Sequence, residues 1–171
     1  MSTDTLSSST NENPRRLTSR MTLTGVIWIS LIVGLLVTSY LSYLKYTSVP
    51  AVCVAGSVFN CGAVLNSAYS IFMGIPIAYL GLLMYFTLAL ILLFERRIPF
   101  LQEYSKILMF GIGLFAWMFS MYLVYLQFVV LGSLCQWCLT HEANMTILFL
   151  MLCVRLWRDM NSEEKLKNDD E

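Results

Sequence analysis

The stretch LTGVIWISLIVGLLVTSYLSYL, residues 23–44, decides the fold class of this chain. Its 22 residues include no charged side chain. An α-helix of this length, rising 1.5 Å per residue, is ~33 Å long and can cross a hydrocarbon core of about 30 Å. Such a long and uniformly apolar run predicts a transmembrane helix.

Three further apolar runs continue the pattern, at Ile71–Phe94, Ile107–Leu131 and Leu139–Leu156. Across the whole chain, 57% of the residues are hydrophobic and only 13% are charged. A soluble domain normally carries roughly 25% charged residues. The sequence therefore predicts an all-α membrane protein, built as a four-transmembrane-helix bundle.

The length of 171 residues suits one compact domain. We predict a disordered cytoplasmic tail at residues 1–20, a four-helix transmembrane catalytic domain at 21–158 and a polar cytoplasmic tail at 159–171. The first segment is rich in Ser, Thr and Asn, a composition that cannot bury enough apolar surface to fold. The net charge of zero leaves no basic surplus for phosphates, which argues against a nucleic-acid partner.

The basic residues predict the orientation of the bundle, because Lys and Arg concentrate in cytoplasmic loops. Ten of them fall on one side of the predicted membrane: Arg15, Arg16, Arg20, Arg96, Arg97, Lys106, Arg155, Arg158, Lys165 and Lys167. Only Lys45 falls on the other side. We therefore expect a plasma-membrane protein with both termini in the cytoplasm and with its first and third loops on the outer face.

The densest cluster of reactive side chains is Leu134–Glu142, at the mouth of the fourth predicted helix. It combines the C-x-x-C pair Cys135 and Cys138 with His141 and Glu142. The N-terminus of a helix stabilises a thiolate, which is the species that attacks disulfides. A C-x-x-C pair can also form a static disulfide or half of a zinc site, so these alternatives stay open.

A second pair, Cys53 and Cys61, lies in the loop between the first two predicted helices, where a short helix is expected near Cys61–Ala68. Seven residues separate the two cysteines, a spacing that allows either a disulfide that fixes the loop or a mobile exchange pair. Both pairs fall on the predicted outer face, where disulfides persist. This shared location favours a relay in which one pair passes electrons to the other.

Glu142 is predicted to share a helix face with the C-x-x-C pair, because Cys135, Cys138 and Glu142 are spaced at i, i+3 and i+7. A carboxylate within a span usually faces the bundle interior or a cavity, where it can bind a ligand or carry protons. The alternative is a wet position at headgroup depth near a helix N-terminus. Both interpretations stay open for Glu142, and His141 has the weaker case for a function.

Together these motifs resemble the vitamin K epoxide reductase family, and the resemblance covers residues 23–157. The residues that carry it are Cys53, Cys61, Ser67, Gly74-Ile75-Pro76, Gly81 and Cys135-x-x-Cys138. The resemblance implies a bundle that encloses a quinone, with the cysteine-bearing outer loop capping the quinone pocket. It also implies that the chain is a prokaryotic-type homologue without the fused thioredoxin-like domain that many members carry, so that a separate thioredoxin-like partner is expected.

By the same resemblance, Cys135 and Cys138 are the active-site pair, with Cys138 nearest the quinone ring. Cys53 and Cys61 are the shuttle pair. In that scheme Cys61 exchanges with Cys135, and Cys53 meets the thioredoxin-like partner outside the cytoplasm.

Three further residues are candidates for binding the quinone. Ser67 matches a Ser or Thr that the family places near the cysteines and the quinone. Tyr69 is the nearest candidate for an asparagine that contacts the quinone in some members. Glu142 stands where those members carry a tyrosine that contacts the quinone, and this departure favours simple quinone reduction over epoxide reduction.

The sequence therefore predicts a membrane thiol-disulfide oxidoreductase. Its expected cofactor is a quinone such as menaquinone or ubiquinone, and its expected role is to support disulfide bond formation. The alternatives are a quinone epoxide reductase and a non-catalytic bundle whose cysteines hold a metal.

Overall fold

Helices account for most of the chain that the computed structural model describes, which is residues 14–49, 51–53, 59–95 and 97–169. The elements in chain order are α1 (Pro14–Thr47), α2 (Cys61–Leu65), a 3₁₀-helix (Ala68–Ser70), β1 (Ile71–Phe72), β2 (Ile75–Pro76), α3 (Ile77–Phe94), α4 (Pro99–Tyr125), a π-helical turn (Leu126–Val130) and α5 (Gln136–Asp169). This architecture confirms the predicted all-α fold class, apart from one very small hairpin.

Four of the helices are long and apolar enough to cross a membrane. Within the described residues these spans are Thr22–Thr47, Ile77–Phe94, Tyr104–Val130 and Gln136–Asn161. The prediction of four transmembrane helices is thereby confirmed.

The first and last helices extend beyond the runs predicted for them. α1 begins at Pro14, so residues 14–20 are helical and are not part of a disordered tail. The rest of that predicted tail, residues 1–13, lies outside the described residues. Proline suits the first turn of a helix because its missing N–H would have no intrahelical partner there. α5 continues to Asp169, through most of the segment predicted as a polar tail.

The prediction that the second span begins at Ile71 is wrong. β1 and β2 pair as an antiparallel hairpin, and α3 begins only at Ile77. The two turn residues, Met73 and Gly74, have positive φ angles of 50° and 86°. The residue before Pro76 is also restricted to extended backbone by the proline ring. These local restraints exclude a helical conformation for the hairpin residues 71–76.

The third span ends in the π-helical turn. The N–H of Leu131 donates to the carbonyl oxygen of Leu126 at 2.9 Å, which is a bond between residues i and i+5. Gly132 follows with a φ of 55°, a conformation that glycine adopts without steric cost. The chain then turns through Cys135 into α5.

The four long helices form a ring in which α1 packs against α3 and α5, and α4 packs against α3 and α5. Their common core is apolar and includes Ile27, Leu31, Tyr85, Leu88, Met145 and Leu148. A polar contact crosses this core, because Nδ2 of Asn144 donates to the carbonyl oxygen of Ser30 and to the hydroxyl of Tyr85, at 3.0 and 3.2 Å. Helices α1, α3 and α5 are thus joined by partly buried hydrogen bonds as well as by packing.

Ion pairs join the helices at the end of the bundle far from the C-x-x-C pair. Nη2 of Arg155 in α5 lies 2.5 Å from Oε2 of Glu95, at the end of α3. Lys106 in α4 pairs with Asp159 in α5. Arg155 is nineteen residues beyond the first residue of α5, which corresponds to ~28 Å along the helix.

Candidate functional site

The loop pair is oxidised, with Cys53 and Cys61 joined in a disulfide. Cys61 is the first residue of α2, and Asn60 caps that helix because its Oδ1 accepts from the N–H of Ala63 at 3.0 Å. Cys61 is 2% exposed, whereas Cys53 is only partly buried. The short helix expected here is confirmed in a shorter form that ends at Leu65.

Backbone contacts hold the loop pair beside the C-x-x-C pair. The N–H of Asn60 donates to the carbonyl oxygen of Leu134 at 3.0 Å, and Phe59 forms a parallel bridge with Leu134. The residue before Cys61 therefore lies against the residue before Cys135. This pairing of two loops explains how cysteines more than seventy residues apart in the sequence become neighbours.

The four paired cysteines belong to one apolar cluster. Its buried members are Cys61, Val64 and Cys135, and the side chains packed against them include Cys53, Trp137 and Cys138. The structure thus brings together all four cysteines that the sequence predicts as redox residues. Their catalytic roles stay a prediction.

Cys135 and Cys138 are free thiols. The Sγ and the N–H of Cys138 both donate to Sγ of Cys135, at 2.6 and 3.3 Å. The pKa of the Cys135 thiol is lowered, chiefly by the hydrogen bond from the Cys138 thiol; burial raises it, and the N–H groups of Cys138 and Trp137 lower it further. Cys135 therefore ionises more readily than an ordinary thiol.

A cavity of about 650 Å³ lies between the long helices at the cysteine end of the bundle. Side chains of α1, α3, α4 and α5 form its walls, and the segment from Val64 to Pro76 contributes a further side. Most of the lining is apolar, including Leu41, Phe72, Phe115, Phe119 and Met145. Of the four paired cysteines, all of them described, only Cys138 lines the cavity.

The three residues predicted to bind a cofactor, Ser67, Tyr69 and Glu142, all line this cavity. The hydroxyl of Ser67 donates to the carbonyl oxygen of Val64 at 2.8 Å, so its proton is already engaged. Tyr69 is 47% exposed, whereas Glu142 is only 5% exposed. Whether they contact a ligand stays a prediction.

The expected alignment of Cys135 with Cys138 and Glu142 on one helix face is not found. Cys135 precedes α5, which begins at Gln136, and Cys135 does not line the cavity. Cys138 and Glu142 do share the cavity face of α5. Cys135 caps α5 instead: its carbonyl oxygen accepts from the N–H of Leu139 at 2.9 Å, and its Sγ accepts from the N–H of Cys138 at 3.3 Å. Its side chain therefore lies at the end of the helix and not on the cavity face that Cys138 and Glu142 share.

His141 and Glu142 place unsatisfied polar atoms in the cavity wall. Nδ1 of His141 lies 3.5 Å from Oε1 of Glu142. Their other polar atoms, Nε2 of His141 and Oε2 of Glu142, are buried and have no hydrogen-bond partner among the described residues. Since buried polar atoms are nearly always paired, the two atoms are candidates for a hydrogen bond to water or to a ligand.

Lys45 and Gln127 are among the polar residues of the cavity that the sequence predictions do not include as site residues. Lys45 enters those predictions only as a loop charge, yet its Nζ donates to the carbonyl oxygen of Leu65 and to Oγ of Ser70, at 2.8 and 3.3 Å. Gln127, in the π-helical turn, is 3% exposed and also lines the cavity. A signal for Gln127 exists in the sequence, because a polar side chain within an apolar span usually faces the bundle interior.

The alternative prediction is a metal site, for which residues 14–49, 51–53, 59–95 and 97–169 contain no candidate ligand set. No group of three or more His, Cys, Asp or Glu side chains there is arranged to hold a metal ion. The cysteines are grouped instead as a disulfide next to a dithiol.

A membrane-spanning helix bundle that holds a disulfide beside a free dithiol has the features of a membrane thiol oxidoreductase. The sequence model of the vitamin K epoxide reductase family matches residues 25–153, and the chain belongs to this family. A protein named thiol-disulfide oxidoreductase LTO1, from Arabidopsis thaliana, is 36% identical to this chain over 107 residues. The match covers 60% of this chain but only 28% of that relative, so this chain spans under a third of the relative's length.

Proposed function

We propose that the protein oxidises the dithiol of a separate thioredoxin-like protein and passes the two electrons through its two cysteine pairs to a quinone. This activity would support the formation of disulfide bonds in other proteins. One observation carries the proposal: Cys138 belongs to the cluster of four cysteines and also lines the large cavity. It is therefore the residue at which electrons leave the cysteines.

In the first step, a thiolate of the partner attacks the Cys53–Cys61 disulfide. Exposure favours attack at Cys53, since Cys61 is 2% exposed and Cys53 is only partly buried. The bond to Cys61 breaks, and a mixed disulfide forms between the partner and Cys53. The partner's second thiol then displaces Cys53, so the partner leaves as a disulfide and the loop pair is left as two thiols.

In the second step, the loop pair reduces the C-x-x-C pair. The Cys61 thiolate attacks Cys135 of an oxidised Cys135–Cys138 disulfide, and Cys138 is released. Cys53 then attacks Cys61, which restores the loop disulfide and leaves Cys135 reduced. The outcome is a loop disulfide beside a free C-x-x-C dithiol, which is the distribution found here.

The cavity suits a quinone. Its volume of about 650 Å³ falls within the roughly 300–1,000 Å³ of typical small-molecule sites, and its apolar walls match a ring with a prenyl chain. The unpaired Nε2 of His141, in the tautomer in which it carries the proton, provides a donor for a ring oxygen, and Oε2 of Glu142 provides one only when the carboxyl group is protonated. Bound there, a quinone such as menaquinone or ubiquinone supplies an acceptor for two electrons and two protons.

The protein's own part in the last step is to present sulfur and to hold protons. When the C-x-x-C pair is oxidised, an S–S bond forms between Cys135 and Cys138, and two electrons and two protons are given up. Cys138 presents its sulfur to the cavity. Glu142 and His141 lie one turn further along the same helix and can hold the protons.

We further propose that the four cysteines lie on the outer face of the plasma membrane, with both termini in the cytoplasm. The distribution of Lys and Arg supports this orientation. In intact cells, a membrane-impermeant maleimide should label Cys53 after mild reduction. Labelling that requires lysis of the cells would contradict the orientation.

Single Cys→Ala variants test the relay with two electron donors, a reduced thioredoxin and dithiothreitol, in reconstituted protein supplied with ubiquinone or menaquinone. Cys138→Ala should abolish quinone reduction with both donors. Cys53→Ala should abolish quinone reduction with thioredoxin but keep it with dithiothreitol, because this small dithiol can reach the C-x-x-C pair directly. Cys153→Ala is the matched control, since Cys153 is a free thiol that lies ~22 Å beyond Cys138 along α5.

Two results would count against the relay. Full activity of Cys138→Ala would remove the proposed contact between the cysteines and the quinone. Equal losses of Cys53→Ala activity with both donors would contradict its role as the entry point for the protein partner.

A further inference from the structure

Gln127 is a buried amide at the meeting point of the cavity and the C-x-x-C pair. It lies in the π-helical turn, where Leu126 and Gln127 are buried and the following residues, Phe128 to Val130, are exposed. Gln127 continues the cavity-facing row formed by Ser120 and Leu123 on α4. Its side chain is 3% exposed, so its polar atoms require partners within the protein or the cavity.

One end of this amide is fixed by the C-x-x-C pair. The backbone N–H of Cys135 donates to Oε1 of Gln127 at 3.1 Å, in a buried hydrogen bond. An N–H can only be met by an acceptor, which assigns the oxygen to this side and the NH₂ group to the other. Nε2 donates to no group among the described residues, and the side chain lines the cavity.

We propose that Nε2 of Gln127 donates a hydrogen bond to a carbonyl oxygen of the bound quinone. This inference rests on the proposed function and assigns it a binding residue. Gln127 suits this role better than Ser67, because the Ser67 hydroxyl already donates to Val64. It also suits it better than Tyr69, which is 47% exposed.

The position of the Gln127 amide between Cys135 and the cavity has a second consequence. The same planar group bonds the backbone of Cys135 on one side and the ligand on the other. Filling the cavity therefore restrains the N–H of Cys135 and the first turn of α5, where Cys138 lies. Gln127 is thus a quinone-binding residue that also positions the C-x-x-C pair.

The test measures quinone binding and the infrared carbonyl bands of ¹³C-carbonyl-labelled ubiquinone in the oxidised, reconstituted protein. In the wild type, one carbonyl band should lie at a lower frequency than the other because of the donated hydrogen bond. Gln127→Met should remove this lowering and weaken quinone binding about two- to tenfold, the range expected for one hydrogen bond. Val129→Met, in the lipid-facing part of the same turn, should change neither quantity.

A measurement on the wild type keeps the test independent of how well the variant folds. In protein labelled with ¹⁵N-glutamine, the side-chain amide signal of Gln127 should shift when ubiquinone is added. The signals of the other glutamines serve as an internal control.

The possible failures are distinguishable. A wild type that binds no quinone overturns the proposed function and this inference with it. Quinone binding with an unshifted Gln127 amide signal, or with the same carbonyl bands in Gln127→Met, overturns this inference alone. If Gln127→Met slows thiol exchange but does not change the carbonyl bands of the quinone, the proposed bond to the quinone is overturned. Gln127 would then only position Cys135.

Discussion

The indole N–H of Trp137 donates to the carbonyl oxygen of Val52 at 3.0 Å. Trp137 stands between the two cysteines of the C-x-x-C pair, and Val52 directly precedes Cys53. The ring of Trp137 also packs against Tyr40 on α1, with centroids 4.8 Å apart. One side chain therefore links the entry cysteine of the proposed relay, the C-x-x-C pair and the first transmembrane helix.

Trp137→Phe should slow electron transfer from a protein donor while sparing transfer from dithiothreitol. The variant keeps an aromatic ring against Tyr40 but loses the bond to Val52, and one hydrogen bond corresponds to about a two- to tenfold change. The rates of quinone reduction with reduced thioredoxin and with dithiothreitol measure this difference. Trp157→Phe is the control, because Trp157 is 64% exposed near the far end of α5. Equal slowing with both donors would contradict a specific role at the entry step.

Cys135 should lose its proton at a lower pH than an ordinary thiol. Its pKa is lowered chiefly by the hydrogen bond from the Cys138 thiol. A lowered pKa in the folded state stabilises the reduced protein above the ordinary thiol pKa of about 8.5, and this contribution fades as the pH falls through the folded value. Ultraviolet thiolate absorbance of a Cys53→Ala, Cys61→Ala, Cys153→Ala protein measures the titration.

Adding Cys138→Ala to that background should move the titration of Cys135 to higher pH, because the principal donor to its sulfur is removed. The backbone N–H of Cys138 keeps its bond at 3.3 Å, so part of the effect should survive. If the first thiol of the parent protein titrates at or above the ordinary thiol pKa, the prediction that the pKa of Cys135 is lowered is refuted.

Gly34→Ala should destabilise the bundle by about 1–3 kcal/mol, the usual cost of overpacking a core. A Cβ at this position would lie 2.2 Å from Cε1 of Tyr85, which is fully buried and cannot move aside freely. Displacing Tyr85 would also break its hydrogen bond with Asn144. Gly25→Ala in the same helix is the matched control, because its Cβ would meet nothing within 4 Å. Unfolding in detergent compares the two, and equal midpoints would contradict the close packing of α1 on α3.

The sequence predicts the bundle well because a membrane imposes a simple rule. Each span must be apolar over the thickness of the bilayer, so the four runs are visible without knowledge of their packing. The cysteine pairs are visible for a similar reason, since thiols are rare side chains with a limited set of uses. The structure groups the four cysteines in one cluster, and the expectation that Cys53 and Cys61 work together with Cys135 and Cys138 stays a prediction.

The parts that the sequence does not predict depend on backbone detail. The hairpin before Ile77 requires positive φ at Met73, and nothing in the side chain of a methionine indicates this conformation. The π-helical turn needs one bond to shift from i+4 to i+5, a change without a sequence signature. Since Gln127 lies in that turn, its burial can be expected from the sequence, but its hydrogen bond with the N–H of Cys135 becomes visible only in the structure.

Glu142→Gln should lower the rate of quinone reduction while leaving quinone affinity nearly unchanged. Glutamine keeps the size of Glu142 and one acceptor oxygen, but it replaces the other oxygen with an NH₂ donor and cannot take up or release a proton. Removal of a positioned acid or base typically lowers a rate by about 10²- to 10⁴-fold. Glu142→Ala should reduce both the rate and the affinity, because it also removes a polar group from the cavity wall.

The pH profile separates proton transfer from simple packing. The ionisable groups near Glu142 are His141 and Cys138 on its own helix and Tyr85 on α3, while Lys45 and Tyr69 line the same cavity. If Glu142 moves the proton, the pH dependence of the rate should differ between the wild type and Glu142→Gln. Glu95→Gln breaks the ion pair with Arg155 at the far end of the bundle, so it should lower stability but keep the wild-type profile. A wild-type rate and profile in Glu142→Gln would exclude Glu142 from proton transfer and leave His141 as the candidate.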